Sequence, residues 1–233
     1  MVASHASSPC QLSGEPSQSW NASHESYDNG LNDGFVKASA PVAMEFWDKH
    51  DLPFTYSLAE HFPIGDRHFA SLLGQTWPNR SYLFAGTSSG MVNDIIASSP
   101  PANGTIFDRL DARHIDWAVY YSPASYPTLE LVPGTRTPAR EPRLHHFSRF
   151  LPDVAAGRLR QFTFLDPNYE TSSEENPQDI QLGERYLATV VGALMRAKTW
   201  KHTALFIPTT STAATTTTCR RRRRSHPTRS RRS

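Results

Sequence analysis

Apolar positions recur at helical spacing most clearly between Ile180 and Lys198. There Leu187, Val190, Val191, Leu194 and Met195 follow the i, i+3, i+4, i+7 rule and predict a helix with one face in a core. Pro53 to His61 predicts a second helix, with Pro53 suited to its first turn, and Val42 to His50 a third. Thr105 reads as the cap of a helix running to about Arg113. Short apolar runs without that period predict strands at Ser81–Ala85, Ile115–Tyr121, Gln161–Leu165 and His202–Ile207. Helices alternating with short apolar strands indicate an α/β fold. Phe46, Trp47, Phe54, Tyr56 and Leu58 are assigned to its core. Trp20 to Phe35 mixes aromatic, Asn, Gly and His residues without period and reads as a loop; residues 122–142, rich in Pro, Thr and Arg, read as a long surface loop. The Ser-, Gln- and Pro-rich residues 1–19 are expected to be disordered.

Chemistry concentrates in Gln75-Thr-Trp-Pro-Asn-Arg-Ser-Tyr-Leu-Phe-Ala-Gly-Thr-Ser-Ser-Gly90. On this reading Gly86 ends the Ser81–Ala85 strand and puts the Thr87 hydroxyl on a tight turn. Open α/β sheets present reactive groups at such carboxyl ends. Thr87 is therefore the candidate nucleophile, and the competing reading makes Thr87 or Ser88 the cap of a following helix. His145 and His146 do not read as a metal pair, because adjacent side chains diverge on any regular element.

The same stretch belongs to an ordered set of motifs. Upstream are Trp20-Asn-Ala-Ser-His24, Asn29-Gly30, Asp33-Gly-Phe-Val36, Asp51-Leu-Pro-Phe54, Asp66-Arg67 and Leu73-Gly-Gln-Thr76. Downstream are Thr105-Ile-Phe-Asp-Arg-Leu110, Phe164-Leu-Asp-Pro-Asn168, Ser173-Glu-Glu-Asn-Pro-Gln-Asp-Ile180 and Gly183-Glu184. In this order and spacing the chain, from about Pro16 to Ile207, resembles the bacterial phosphoesterase family of phospholipases C and acid phosphatases, a branch of the alkaline-phosphatase-like superfamily. The resemblance implies a mixed sheet flanked by helices, a phospholipid or phosphomonoester substrate, and a divalent metal ion. It also implies that a hydroxyl at the position of Thr87 attacks phosphorus and ligates the metal. His24 matches a substrate-binding histidine of the family, whereas Gln18 stands where a second one is expected. Asp66 and Arg67 are expected to pair beneath the site. The family's other metal ligands, a Glu-Asn pair on a first strand and a Tyr-Asp-Glu-His-Gly-Gly segment, have no match here, so this chain is expected not to bind the metal.

Two features of the ends follow from that comparison. The first strand should precede Trp20 by several tens of residues, which implies an amino-terminal truncation and an incomplete sheet; intact members are exported, but the opening residues offer no charged n-region followed by an apolar h-region, and no signal peptide is expected. At the other end the family pattern Tyr-Asp-Glu-His-Gly-Gly-Tyr-Tyr-Asp-His-Val-Pro-Pro is due after Ile207. Written in GC-rich codons and read one base late, it gives Thr-Thr-Ser-Thr-Ala-Ala-Thr-Thr-Thr-Thr-Cys-Arg, which is Thr209 to Arg220 residue for residue. A frameshift at about residue 208 is the expectation, leaving residues 20–207 as a partial domain and 208–233 as a disordered Arg-rich tail.

That tail changes how the charge is read. Eight of the 24 basic residues lie in 209–233, leaving 16 against 22 acids, a formal −6 for the body of the chain. A polybasic tail on an acidic body is one signature of nucleic-acid binding, but a shifted frame already accounts for the arginines, and no nucleic-acid partner is expected. The two cysteines, Cys10 and Cys219, define neither a disulfide framework nor a zinc site. Asn21, Asn79 and Asn103 each begin an Asn-x-Ser/Thr triplet. Two functions stand side by side at this point, a phosphoric-ester hydrolase and a catalytically inactive fragment of one; an Arg-tailed nucleic-acid binder comes third.

Overall fold

A computed structural model of the chain describes residues 2–65, 68–122, 124 and 127–208. Asp66, Arg67 and residues 209–233 lie outside the described residues, and with them the expected Asp66–Arg67 pair and the tail expected to be out of frame.

Three parallel strands form the centre: β3 (Trp117–Tyr121) lies between β4 (Leu144–His146) and β5 (Phe162–Leu165). Parallel neighbours need crossovers, and α6 (Phe150–Ala155) supplies the one from β4 to β5. The chain is accordingly α/β. Trp117, Ala118, Val119 and Tyr120 are all buried, as a central strand covered on both faces requires. One face packs Trp117 and Val119 with Phe84, Phe107, Leu110, Leu129 and Val132. The other packs Ala118 and Tyr120 with Phe150, Val154, Val190 and Leu194. The helix predicted over 180–198 is α7 (Ile180–Arg196), and its Val190, Val191 and Leu194 are buried as expected, although Met195 turns outward.

Helix α3 (Pro53–His61) starts at Pro53 as predicted, and α5 (Ile106–Ala112) is preceded by a capping box in which the Thr105 amide donates to Asp108 Oδ2 at 2.6 Å. Other expectations fail for identifiable reasons. The Val42–His50 helix is a 3₁₀ turn over Pro41–Met44 followed by β2 (Glu45–Phe46). The partner of β2 is β1 (Ser4–His5), within the segment expected to be disordered, and Ala6 next to it is buried against Trp47 and Ile180. Of the aromatic residues assigned to the core around α3, only Trp47 is buried; Phe46 and Tyr56 stay exposed. Trp20–Phe35 is not a loop: Ser19 Oγ accepts from the Ala22 amide and starts α1 (Trp20–Tyr27), and Phe35 opens α2 (Phe35–Ser39). Part of the 122–142 connection is core, since Leu129, Leu131 and Val132 anchor a 3₁₀ turn at Thr128–Leu131. The strand expected at His202–Ile207 has no ladder partner among the described residues. Its first residue ends a 3₁₀ turn, and Phe206 is 84% exposed.

Candidate functional site

The stretch around Thr87 is where the structure departs furthest from expectation. Thr76–Ala85 is a helix, α4, and not a turn leading into a strand. Pro78 sits in its first turn, where no amide is needed, and Gly86 closes it in the left-handed region at φ 69°, donating to the Tyr82 carbonyl. The residues that face inward, Thr76, Pro78, Asn79 and Phe84, follow helical spacing, while Leu83 is 48% exposed.

Each polar residue of the motif has a definite partner. Asn79 is buried and fastens the turn entering α4: its Oδ1 accepts from the Leu72 amide (2.9 Å), and its Nδ2 donates to the carbonyls of Leu72 and Gln75 (both 3.0 Å). Arg80 reaches the carboxyl end of β5. Its Nη1 donates to Thr128 Oγ1 and to the Tyr169 hydroxyl, both at 2.6 Å, and stands 3.5 Å from Asp166 Oδ1. The guanidinium also lies 4.8 Å from the centre of the Tyr169 ring. Asp166, 1% exposed, accepts from the Thr128 amide (2.8 Å), the Thr128 hydroxyl and Tyr169 (2.8 Å). Burial pushes its carboxyl above the usual range, against the hydrogen bonds of Thr128 and Tyr169 and the Arg80 charge. Two segments far apart in sequence, 78–80 and 164–169, are thereby locked together by buried polar groups.

Thr87 follows this anchored helix. It is half-buried, and its Oγ1 accepts from the Ser89 amide at 3.0 Å. Neither Thr87 nor Ser88 caps a helix, because the next one begins at Ile106. Placement at the carboxyl end of α4 has an electrostatic consequence. The free carbonyls there carry partial negative charge and disfavour an alkoxide by about 0.3–1 kcal/mol. Any activation of the Thr87 hydroxyl must come from other groups.

His24 lies on α1, its ring 3.9 Å from that of Trp20. Its Nδ1 donates to the Trp20 carbonyl at 2.8 Å, which fixes the hydrogen on that nitrogen. In the neutral ring Nε2 then carries a lone pair, so His24 donates a hydrogen bond to a phosphate oxygen only when protonated. Gln18, Gln75, Asp94 and Glu175 line a polar cleft of about 420 Å³ together with Glu15. Two of these residues, Gln75 and Glu175, lie in the sequence motifs. The Asp94 carboxyl, raised by burial, accepts from the Trp77 amide, and the Asp94 amide donates to Gln75 Oε1. A larger depression of about 740 Å³ sits at the opposite, amino end of β3. Its Arg140 and Arg143 are held by Asp108, Asp111 and Asp116, so that end is an ion-pair network and not a reactive centre.

The donor set for a divalent ion does not fit at Thr87. Such an ion takes six or more oxygen ligands, several of them carboxylates. Among the described residues, three His, Cys, Asp or Glu side chains converge at one place, His5, Asp48 and Asp51, on β1 and the turn before α3. None of these belongs to the Gly86–Gly90 turn.

That trio contains an ion pair that holds the amino-terminal strand. His5 Nε2 is 2.7 Å from Asp51 Oδ2. The hydrogen bond to Asp51 raises the His5 pKa; the Asp48 amide and His5 lower that of Asp51 despite its burial. The pair is complete below the ordinary imidazole value and is lost as pH rises through the raised one. It is also lost in acid, below the carboxylate range. The Ala6 amide, which donates to Phe46, is expected to exchange more slowly than in His5→Asn at about pH 6, and equally fast at about pH 9. Equal exchange at both pH values would show that the pair does not hold β1.

Glu184 is a residue whose role the sequence did not indicate. Its carboxylate accepts from the amides of Phe54 (2.6 Å) and Thr55 (3.1 Å) and from the Thr55 hydroxyl (2.5 Å), capping α3 from α7. The neighbouring Gly183 is required by close approach: a Cβ there would stand 2.6 Å from the Ser173 backbone.

Comparison with known proteins agrees with the motif order. A family model described as the Phosphoesterase family matches residues 3–208. The chain is 29% identical over 192 residues to non-specific phospholipase C6 of Arabidopsis thaliana, covering 78% of this chain and 35% of that protein. It is 32% identical over 114 residues to hemolytic phospholipase C of Pseudomonas aeruginosa, covering 43% and 16%. With phospholipase C B of Mycobacterium tuberculosis identity is 38% over 93 residues, covering 34% and 18%. The chain thus spans at most about a third of the length of each of these relatives.

Proposed function

Because the chain belongs to the phosphoesterase family, we propose that its fold serves the hydrolysis of phosphoric esters of the phospholipase C type, within an alkaline-phosphatase-like sheet of which β3, β4 and β5 are part. The observation that carries this reading is the family match from residue 3 to 208, which includes the whole anchored α4 and Thr87 after it. Thr87 Oγ1 would form a bond to phosphorus while the ester P–O bond breaks and the departing alcohol takes up a proton. Water would then cleave the phospho-threonine and return the hydroxyl. His24, when protonated, would donate to a phosphate oxygen. A divalent ion supplies charge neutralisation in such chemistry; the described residues of this chain do not assemble its ligands, and no step is assigned to it. Substrates would be phospholipids or phosphomonoesters, met outside the cell or in the periplasm. No described helix is long and apolar enough to cross a membrane.

A second reading is a member of the family that folds without turning over substrate. It is favoured by the position of that hydroxyl at a helix carboxyl end and by the lack, among the described residues, of converging acidic ligands beside it. Assays of the full chain on p-nitrophenyl phosphate and phosphatidylcholine, with Mg²⁺, Ca²⁺, Mn²⁺ and Zn²⁺ each added, separate the two. Release of nitrophenol or diacylglycerol above the protein-free rate is the expected result for a hydrolase. No release with any ion, from protein shown by circular dichroism to be folded, decides for the silent member.

A further inference from the structure

Three side chains of metal-ligating type meet where β1 joins the turn before α3, and the local structure puts them there. Ser4 and His5 pair in parallel with Glu45 and Phe46, so His5 stands beside Phe46. Paired residues share one face of a sheet. Just beyond β2 the Asp51 and Leu52 amides donate to the Asp48 carbonyl, at 3.1 and 2.9 Å, closing a turn that brings both aspartates to His5. One ligand atom each of His5, Asp48 and Asp51 lies within 4.8 Å of the other two. The frame is fixed from several sides. Trp47 is buried, and its indole donates to the Ser8 carbonyl at 3.0 Å. Gln181 Nε2, on α7, donates to the carbonyls of Pro9 and Asp51, both at 2.8 Å. The amides of Asp48 and His50 orient the two carboxylates, donating to Asp51 Oδ2 (2.9 Å) and Asp48 Oδ1 (2.7 Å). The ion pair described above accounts for two of the three groups. One imidazolium balances one carboxylate, and Asp48 brings a second to the same point, where like charges repel. Lys49 and His50, the other basic residues of the turn, are exposed.

We propose that His5 Nε2 and the carboxylates of Asp48 and Asp51 form a binding site for one divalent transition-metal ion of the zinc type. The donor set selects the ion. One imidazole nitrogen and two carboxylates, with water in a fourth position, suit Zn²⁺. Ca²⁺ takes six or more oxygens, and Mg²⁺ binds through oxygens in octahedral geometry. A dication neutralises both carboxylates while the imidazole ligates as the neutral ring. The hydrogen shared by His5 Nε2 and Asp51 Oδ2 leaves to solvent as the ion takes its place. Ligands about 2.0–2.2 Å from tetrahedral zinc stand about 3.3 Å from one another. His5 and Asp51, 2.7 Å apart, therefore part slightly, and Asp48 closes in by side-chain rotation. The His5 side chain is 48% exposed, which gives the ion a path from solvent. Bound zinc ties β1 to the turn that starts α3. Thr87 has no part in this site, so the metal site and the hydrolytic reading stand or fall separately.

The untagged full chain, stripped with EDTA and titrated with Zn²⁺ in a calorimeter, is expected to take up one equivalent in the micromolar range. Co²⁺ is expected to give the visible absorption of a four-coordinate site and to be displaced by Zn²⁺. His5→Gln and Asp48→Asn each remove a ligand and are expected to weaken uptake at least about 10-fold, the least that even outer-shell partners contribute. Thr87→Ala is expected to leave it unchanged. Hydrogen exchange at the Ala6 amide, which donates to the Phe46 carbonyl, should slow when Zn²⁺ is added to the wild type and not when it is added to Asp48→Asn. The asparagine keeps an oxygen for the His50 amide, so should His5→Gln detach β1 by circular dichroism, Asp48→Asn decides. No uptake at submillimolar free Zn²⁺, undiminished uptake in a folded ligand variant, or uptake lost in Thr87→Ala would each overturn the proposal.

Discussion

Thr87→Ala is expected to lower any phosphoric-ester turnover of the chain by roughly 10⁴-fold or more, the scale seen when a covalent nucleophile is removed. Folding stability should change by less than about 1 kcal/mol, because the half-buried hydroxyl accepts one hydrogen bond, from Ser89, within its own turn. Thr87→Ser restores the oxygen without the methyl group and is expected to recover a large part of the rate. The pair of variants distinguishes chemistry from architecture. If turnover survives in Thr87→Ala, the attacking group lies elsewhere; if Thr87→Ser is as inactive as the alanine variant while both remain folded, the hydroxyl is not what the position supplies. Initial rates on p-nitrophenyl phosphate, with thermal denaturation of each variant, provide both readings.

The largest effect on stability is expected at Arg80. Replacing it by methionine keeps much of the volume but leaves Asp166, 1% exposed, without a cation beside it. Breaking a buried pair from one side costs about 3–5 kcal/mol, a fall in melting temperature of roughly 6–20 °C for a chain of this size. Burial already holds the Asp166 carboxyl above its ordinary value. In the variant Asp166 can relieve the penalty by keeping its proton, so the loss should shrink as pH falls and grow as pH rises. Adding Asp166→Asn to Arg80→Met should return part of the stability, since the neutral amide still accepts from Thr128. Circular dichroism melts across pH would test this; a loss below about 1 kcal/mol would mean that the hydroxyls of Thr128 and Tyr169 alone satisfy Asp166.

Elements with a strong local signature were legible in the sequence. The 3.6-residue period of α7, the Thr105 cap with Asp108 three residues on, Pro53 at the start of α3 and the β-prone runs of β3 and β5 all formed as expected. Ser81–Ala85 failed because Tyr82, Leu83 and Phe84 look like a buried strand when taken alone. Pro78 in a first turn and Gly86 just beyond a last one already carried the opposite message, that of a helix. A signal of the same kind marks α1, where Ser19 is a helix-capping residue just ahead of Trp20. Thr87 was found through its motif and not through periodicity, and its surroundings were not legible at all. The partners of Arg80 lie 48 to 89 positions away, and nothing local in Pro-Asn-Arg tells that the arginine is a bolt between helix and sheet. His202–Ile207 shows the limit from the other side: an apolar run forms a strand only where a neighbour offers backbone to pair with.

The fastening of Asn79 bears on how the chain can be modified. Its Asn-Arg-Ser triplet has the form recognised for attachment of a sugar chain, yet in the folded protein the amide nitrogen is enclosed and shared among three carbonyls. A glycan there would have to be added to the nascent polypeptide, and it would then forbid the bend that delivers α4. Asn21 and Asn103, both exposed, are the two such positions that a mature fold leaves open to decoration.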